Sequence, residues 1–418
     1  MELGYPSPAH GQRTFVSPAT VEIGRGAVSA TGDYAASYGE KALIVATEDI
    51  YNIHGEVLID VLEEAGLETV SFAEVRPDPT VANIEAAHAI YDEEDCDVIV
   101  ALGGGSSIDA AKGAGILATN DGPIRSFGVD KAGYEGVPQR TPPLIAVNTT
   151  AGTGSEATRS VVVTDTETAT KFLIVSRHAV PDIAIEDPEL TLSLPKSHTA
   201  FTGIDALTHA IEAFVSVKSY SVPDDFARAA ITRINRSLRT AWANGDDIDA
   251  RTDMMIGQLQ AGQAFTNSSV ALVHGMARPL GAQIHVPHGL ANALILPYVM
   301  EFSAMAAPGK YAEIARMLDV ADEDDPDQVA ARRASDAVMQ LCTDVDLADY
   351  LDTYGEIPDR ETYLAFVPEM TSDAIDSGSP ANNPRKPTAD EIEELFITLY
   401  DDALAPDSPR RTASTASK

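Results

Sequence analysis

Strand signals fill the first half of this chain and nearly vanish from the second. Through residue 190, short apolar runs at 42–46, 97–102, 143–147 and 183–185 alternate with amphipathic helical segments at 55–66, 81–94 and 106–118. Alternation of this kind predicts parallel strands joined by crossover helices, a doubly wound, Rossmann-like α/β sheet. Segment 159–175 reads instead as a hairpin, RSVVVTD and TKFLIVS around a polar turn. Beyond LPKSHT (194–199) the apolar period lengthens to that of a helix, and helices are expected at 196–240, 250–277, 289–304, 309–318, 327–344 and 389–404. The fold class is therefore an α/β N-terminal domain (1–195) followed by an all-α C-terminal domain (196–405), with a polar tail (406–418) expected to be disordered. A chain of 418 residues, 44% hydrophobic, is long enough to bury two cores.

Within the first half, VIVALGGGSSIDAAKGAGIL (98–117) reads as a strand, a turn of Gly103, Gly104 and Gly105, and a helix from Ser106. A turn without Cβ atoms lets backbone N–H groups approach a pyrophosphate, and the helix N-terminus adds donors and a favourable dipole. The spacing is not G-x-G-x-x-G, so the turn alone points to phosphate more than to a particular nucleotide. After the next apolar run, PLIAVNTTAGTGSEAT (143–158) presents Thr149, Thr150 and Thr153, whose hydroxyls can bond phosphate or ribose. An ordinary Ser/Thr/Gly turn has the same composition.

In the second half, GIDALTHAIEAF carries Asp205 and His209, four residues apart on one helical face, so both side chains aim at one point. VHGMARPLGAQIHVPHG adds His274, expected near the end of a long helix spanning about 254–277, and His288, expected on a turn or helix start after Pro287. An Asp–His pair at this spacing arises often by chance. One oxygen with three imidazoles, however, suits a borderline divalent ion such as iron(II) or zinc and leaves room for substrate.

In this order and spacing, the segments resemble the iron-containing (group III) alcohol dehydrogenase family. The resemblance runs from FVSPATVEIGRGA near the start, through RPDPT (76–80), to NNPRKPTADEIEELF (382–396). It implies NAD or NADP bound by the N-terminal domain and a divalent metal, iron(II) with zinc or manganese as alternatives, held by the helical domain. Hydride would then pass between nicotinamide and a small alcohol or aldehyde. It implies Asp205, His209, His274 and His288 as metal ligands. It also implies Thr47, Asp78, Gly104, Gly105, Ser106, Asp109, Thr149, Thr150, Thr153 and Lys171 around the cofactor, and a homo-oligomer, dimer or larger. A hydroxyacid–oxoacid transhydrogenase and a dehydroquinate-synthase-like lyase on the same frame stand as alternative functions.

The chain departs from the family pattern twice. Where H-G-M-A-H-P-L-G is usual, HGMARPLG places Arg278, which stays protonated and cannot relay a proton. Arg278 could instead read an anionic substrate group such as a carboxylate, and His285 is a weaker candidate for the missing relay. At the position where NAD-specific members usually carry Asp, KALIVATEDIY has Thr47, which favours NADP or dual use, although Glu48 beside it could restore repulsion of a 2′-phosphate. His198 and His178 stand outside the constellation, while Phe265 and Val270 could wall the pocket or only pack.

Charge sets the surroundings. Acidic residues number 64 against 29 basic, a net charge of −35, without a basic stripe for nucleic acid or an anionic membrane. Acidity spread as in DEEDCD and DVADEDDPDQ suggests adaptation to high salt, where a Debye length of about 3 Å at molar concentration screens self-repulsion. Cys96 and Cys342 lie in different expected domains and suggest no disulfide. The N-terminus lacks signal-peptide character and no apolar stretch approaches the roughly 18 residues of a membrane span, so a cytoplasmic enzyme is expected.

Overall fold

The computed structural model describes residues 12–168 and 170–409; residues 410–418 of the expected tail and the first eleven residues lie outside the described residues. The chain divides into two compact units, one comprising Arg13–Ser193 and the other beginning at Leu194.

The first unit is built on a six-stranded parallel sheet. Its strands are β1 (Thr20–Ile23), β2 (Lys41–Thr47), β3 (Glu68–Val75), β4 (Val98–Gly103), β5 (Leu144–Asn148) and β8 (Ile183–Glu186), in the order β1-β8-β5-β4-β2-β3. The central strands are unbroken apolar runs because parallel strands are covered on both faces. One face packs Leu58 and Leu62 against Ile44, Val100 and Ile185; the other packs Ile108, Ala111 and Ala114 against Leu43, Ile99 and Ala146. Strands β1 and β3 were not expected from sequence. They are the edges, and β3 (ETVSFAEV) has too few apolar side chains to announce itself. The helices of this unit are α1 (Ala30–Ala36), α2 (Glu48–Glu64), α3 (Val81–Glu93), α4 (Gly105–Thr119) and a short α5 (Val129–Ala132). The expected hairpin is present as antiparallel β6 (Ser160–Asp165) and β7 (Thr170–Val175).

Strand order reverses direction between β2 and β4: the chain moves outward to β3, then returns past β2 to β4 and onward. Ligands of open α/β sheets bind outside the carboxyl ends of strands at such a switch. The glycine turn leaves β4 at this point.

The described elements of the second unit are helical: α6 (Lys196–Val215), α7 (Ser221–Ala243), α8 (Ile248–Ser268), α9 (Leu272–Ile284), α10 (His288–Ala304), α11 (Pro308–Met317), α12 (Asp327–Asp344), α13 (Leu347–Tyr354), α14 (Arg360–Asp376) and α15 (Ala389–Leu399). Two expected helices are each broken in two. The 196–240 segment breaks at Ser216–Tyr220, and the 250–277 segment breaks after Ser268, where Ser269 takes φ +75°. Asn382 stabilises the second break, donating to Ser269 Oγ at 3.1 Å and to the Val270 carbonyl at 2.9 Å. His274 therefore sits in the first turn of α9, not at the end of a longer helix. Helices α13 and α14 were not anticipated, and Pro368 inside α14 obscured its period. At the end of the described chain Ser408, assigned to the expected tail, is 2% exposed. No described helix is long and apolar enough to cross a membrane.

Candidate metal centre and nucleotide turn

Helix α6 carries Asp205 and His209 on one face, as their spacing predicts, and α9 and α10 bring His274 and His288 to the same point. The Nε2 atoms of His209 and His274 lie 3.0 Å apart. Asp205 Oδ1 lies 3.9 Å from the Nε2 atoms of both His274 and His288. His288 opens α10, the helix start expected after Pro287, and its side chain is 44% exposed, whereas Asp205 and His274 are buried. Phe265 stacks on His209 with centroids 4.2 Å apart.

Two neighbours escaped the sequence reading. Glu212 lies three residues beyond His209 on the same helix face, so periodicity could have found it. It is 2% exposed, faces His274 Nδ1 at 2.6 Å, and accepts the Val273 N–H at 2.6 Å. The break before α9 explains this contact: it turns the helix's first N–H groups toward Glu212, which caps them from α6. With a proton on Nδ1 directed at Glu212, His274 Nε2 presents a lone pair, the tautomer that a metal ligand needs. Asn292, one turn after His288, donates Nδ2 to Asp205 Oδ1 at 2.6 Å and lies 3.2 Å from the Nε2 atoms of His274 and His288.

Electrostatics suit a cation. Burial, then the neighbouring His209 and the Arg278 charge, hold His274 well below the ordinary imidazole range, so it is neutral and free to ligate. Burial pushes the Asp205 carboxyl up, and a cation among these groups would reverse that. Burial also raises Glu212, to about 7. One carboxylate oxygen and convergent neutral imidazole nitrogens fit iron(II) or zinc; the oxygen of Asp205 and nitrogens of His209 and His274 lie within 4.8 Å of one another. Arg278 is exposed on α9, one turn beyond His274, and its charge reaches both His274 and His288. His285 is exposed and ends α9 with φ +53°.

In the first unit, Gly103 has φ +141°, and a Cβ there would meet Ser107 Oγ at 2.4 Å. Added Cβ atoms would meet Thr150 at 2.9 Å from Gly104 and Thr153 at 3.0 Å from Gly105. Gly103, absent from the expected cofactor set, is thus as constrained as its neighbours. Helix α4 has Gly104 as N-cap without a side-chain cap, which leaves its first N–H groups for a ligand. Thr149 is 1% exposed, and its Oγ1 has no partner among the described residues, as a hydroxyl reserved for a ligand would. Thr150 N donates to Asn148 Oδ1, and Thr153 Oγ1 accepts from Ser155 N. These features fit a dinucleotide phosphate.

Other expected contacts are tied to one another. Ser106 Oγ accepts from Asp78 N at 3.3 Å, and Asp78 pairs at the surface with Lys171 at 2.8 Å. Thr47 N donates to Ser107 Oγ at 3.2 Å. Asp109 is engaged within the unit, Oδ1 accepting from Ser155 Oγ at 2.5 Å and Oδ2 from Val162 N at 2.8 Å.

Comparison with known proteins agrees with this chemistry. Residues 18–188 match the family described as iron-containing alcohol dehydrogenase, and residues 199–400 match its C-terminal counterpart. A 1,3-propanediol dehydrogenase from Klebsiella pneumoniae is 38% identical over 92% of this chain and 98% of its own. An NAD-dependent methanol dehydrogenase from Bacillus methanolicus is 34% identical over 91% and 98%. A solved 1,3-propanediol oxidoreductase superposes with a TM-score of 0.88 at 36% identity, over 93% of this chain and 100% of that one.

Proposed function

The chain belongs to the iron-containing alcohol dehydrogenase family, an oxidoreductase of alcohols and aldehydes, and from that premise we propose which of its residues act and on what. Asp205, His209, His274 and His288 hold iron(II), with zinc or manganese as substitutes. Gly103 to Ser106, Thr149, Thr150 and Thr153 receive the pyrophosphate and ribose of NAD or NADP. The observation that carries the reading is the convergence of four ligand side chains with Glu212 fixed behind His274. A bound ion would act as a Lewis acid toward the substrate oxygen, and the nicotinamide would give or take the hydride.

The protein's own groups do the rest. Glu212 orients His274, Asn292 orients Asp205, and burial keeps His274 neutral. Arg278 cannot pass a proton, so proton exchange runs through water or substrate and cofactor hydroxyls, while its guanidinium favours substrates carrying a carboxylate. Thr47 permits NADP beside NAD. The relatives named above are dehydrogenases, which disfavours the transhydrogenase and lyase alternatives. We further propose adaptation to high salt, on the strength of the net charge of −35, and, from the family resemblance alone, a cytoplasmic homo-oligomer.

The test is anaerobic. Metal-free protein is loaded with iron(II) in concentrated KCl, and NADH and NADPH absorbance is followed with short aldehydes and with carboxylated semialdehydes. Oxidation that requires the metal is expected with both substrate classes and is faster with the carboxylated one. Absence of cofactor turnover despite a bound metal would overturn the assignment. In the same preparation, the melting temperature should rise as KCl is raised from about 0.1 M to molar levels, where screening shortens to about 3 Å; a flat response would remove the high-salt reading. Light scattering would test the oligomer.

A further inference from the structure

Helix α4 contains a buried charge that the nucleotide reading does not use. Lys112 is 0% exposed, two turns below the glycine turn. Its three N–H donors are shared among four acceptors, the Ser155 carbonyl at 2.7 Å, Ser155 Oγ at 3.0 Å, Thr158 Oγ1 at 3.2 Å and the Ser160 carbonyl at 2.9 Å. Asp109, one turn earlier, takes Ser155 Oγ and Val162 N and lies 3.6 Å from the ammonium. Burying two opposite charges costs several kcal/mol of desolvation per ion unless every donor and acceptor is matched, and here the matching partners all come from 155–162, the segment running from the Thr149–Thr153 loop into β6. A hydrophobic side chain of similar length would fill the same space at lower cost, so packing does not explain the lysine.

The geometry points to Lys112 as a positioning residue for the nucleotide site, acting with Asp109 to fix the Thr149–Ser155 loop at its distance from the glycine turn. That distance is critical: a Cβ added at Gly104 or Gly105 would already touch Thr150 or Thr153. Thr149 Oγ1 and the N–H groups of α4 can bond one pyrophosphate only if loop and helix keep this spacing. The same helix organises the remaining contacts through Ser106 to Asp78 and Ser107 to Thr47. Lys112 therefore sets nucleotide affinity without touching nucleotide.

The inference rests on the glycine turn being the nucleotide site, and the experiment separates the two. NADH affinity is measured by fluorescence titration, and zinc affinity by competition with a chelator, on the full chain carrying Lys112→Met, Ser155→Ala, Gly105→Val or Leu62→Ala. Leu62 lies on α2 and packs against the sheet face opposite α4, so it controls for loss of stability alone. Lys112→Met is expected to weaken NADH roughly ten- to hundredfold, the size seen when groups supporting a binding shell are removed. Ser155→Ala should weaken it less, and both should leave zinc affinity unchanged. Leu62→Ala should lower the melting temperature and keep NADH affinity. If Lys112→Met does not fold, Ser155→Ala decides: unchanged NADH affinity there overturns the proposal. Unchanged affinity in Lys112→Met, with binding abolished by Gly105→Val, overturns the proposal and leaves the nucleotide site standing. Unchanged affinity in Gly105→Val overturns both.

Discussion

The two binding regions are assembled in opposite ways. The glycine turn and its helix come from consecutive residues, 103–112, held by a switch in strand order and by side chains that clamp nearby loops. The candidate metal set comes from three helices, α6, α9 and α10, with its residues spread from Asp205 to His288 and four helix breaks between them. The glycine turn depends on backbone shape, so its variants should grade affinity by the size of the side chain they add. A dispersed site depends on whole donor groups, so its variants should abolish it.

The sharpest break in that contrast would come from His274→Ala, which removes a ligand and strands Glu212. Loss of a Lewis acid worth several kcal/mol, at tenfold per 1.36 kcal/mol, should cost about three orders of magnitude or more in kcat/KM. NADH titration of the same variant should stay unchanged; a parallel loss would mean that the two regions are not independent. Next in size, Glu212→Gln should lower metal affinity roughly ten- to hundredfold in a chelator competition, since outer partners of ligating histidines contribute that much. Wild-type affinity would reduce Glu212 to a helix cap. On the contiguous side, Gly105→Ala puts a Cβ 3.0–3.1 Å from Thr153, which can yield by a few tenths of an ångström. NADH should weaken about fivefold, equivalent to about 1 kcal/mol of crowding, with metal affinity untouched. The smallest effect belongs to Arg278→Ala. An exposed charge pair is worth up to about 1 kcal/mol, so KM for a carboxylated semialdehyde should rise a few-fold while that for a neutral aldehyde holds. Equal changes for both would remove its role in substrate choice.

The convergence of Asp205, His209 and His274 was legible because chemistry restricts which side chains can bind a cation and helical period places two of them together. Glu212 was equally legible, three residues past His209, and was passed over. The break at Ser269 was not: local period continues through it, and Asn382 and Ser216, from distant stretches of chain, hold the turn at a serine with positive φ. Asp109 is a different case. Its place in the helix after the turn suggested a ligand contact, but a carboxylate's partners depend on what folds against it, and here those are Ser155 and Val162. The edge strands β1 and β3 were missed because half-exposed strands lack the apolar runs of the central ones.

By itself the sequence of this chain determined the features that local period and side-chain chemistry dictate: a parallel α/β unit, a helical unit, a Cβ-free turn and four convergent ligand types. Tertiary structure decided where helices stop, that the Glu212 carboxylate faces His274 Nδ1, and that a buried lysine spans α4 and a loop more than forty residues away. The reason is physical. Period and propensity act over a few residues, whereas the burial that orients Glu212, Asn292 and Lys112 is created only when distant segments exclude water from them together.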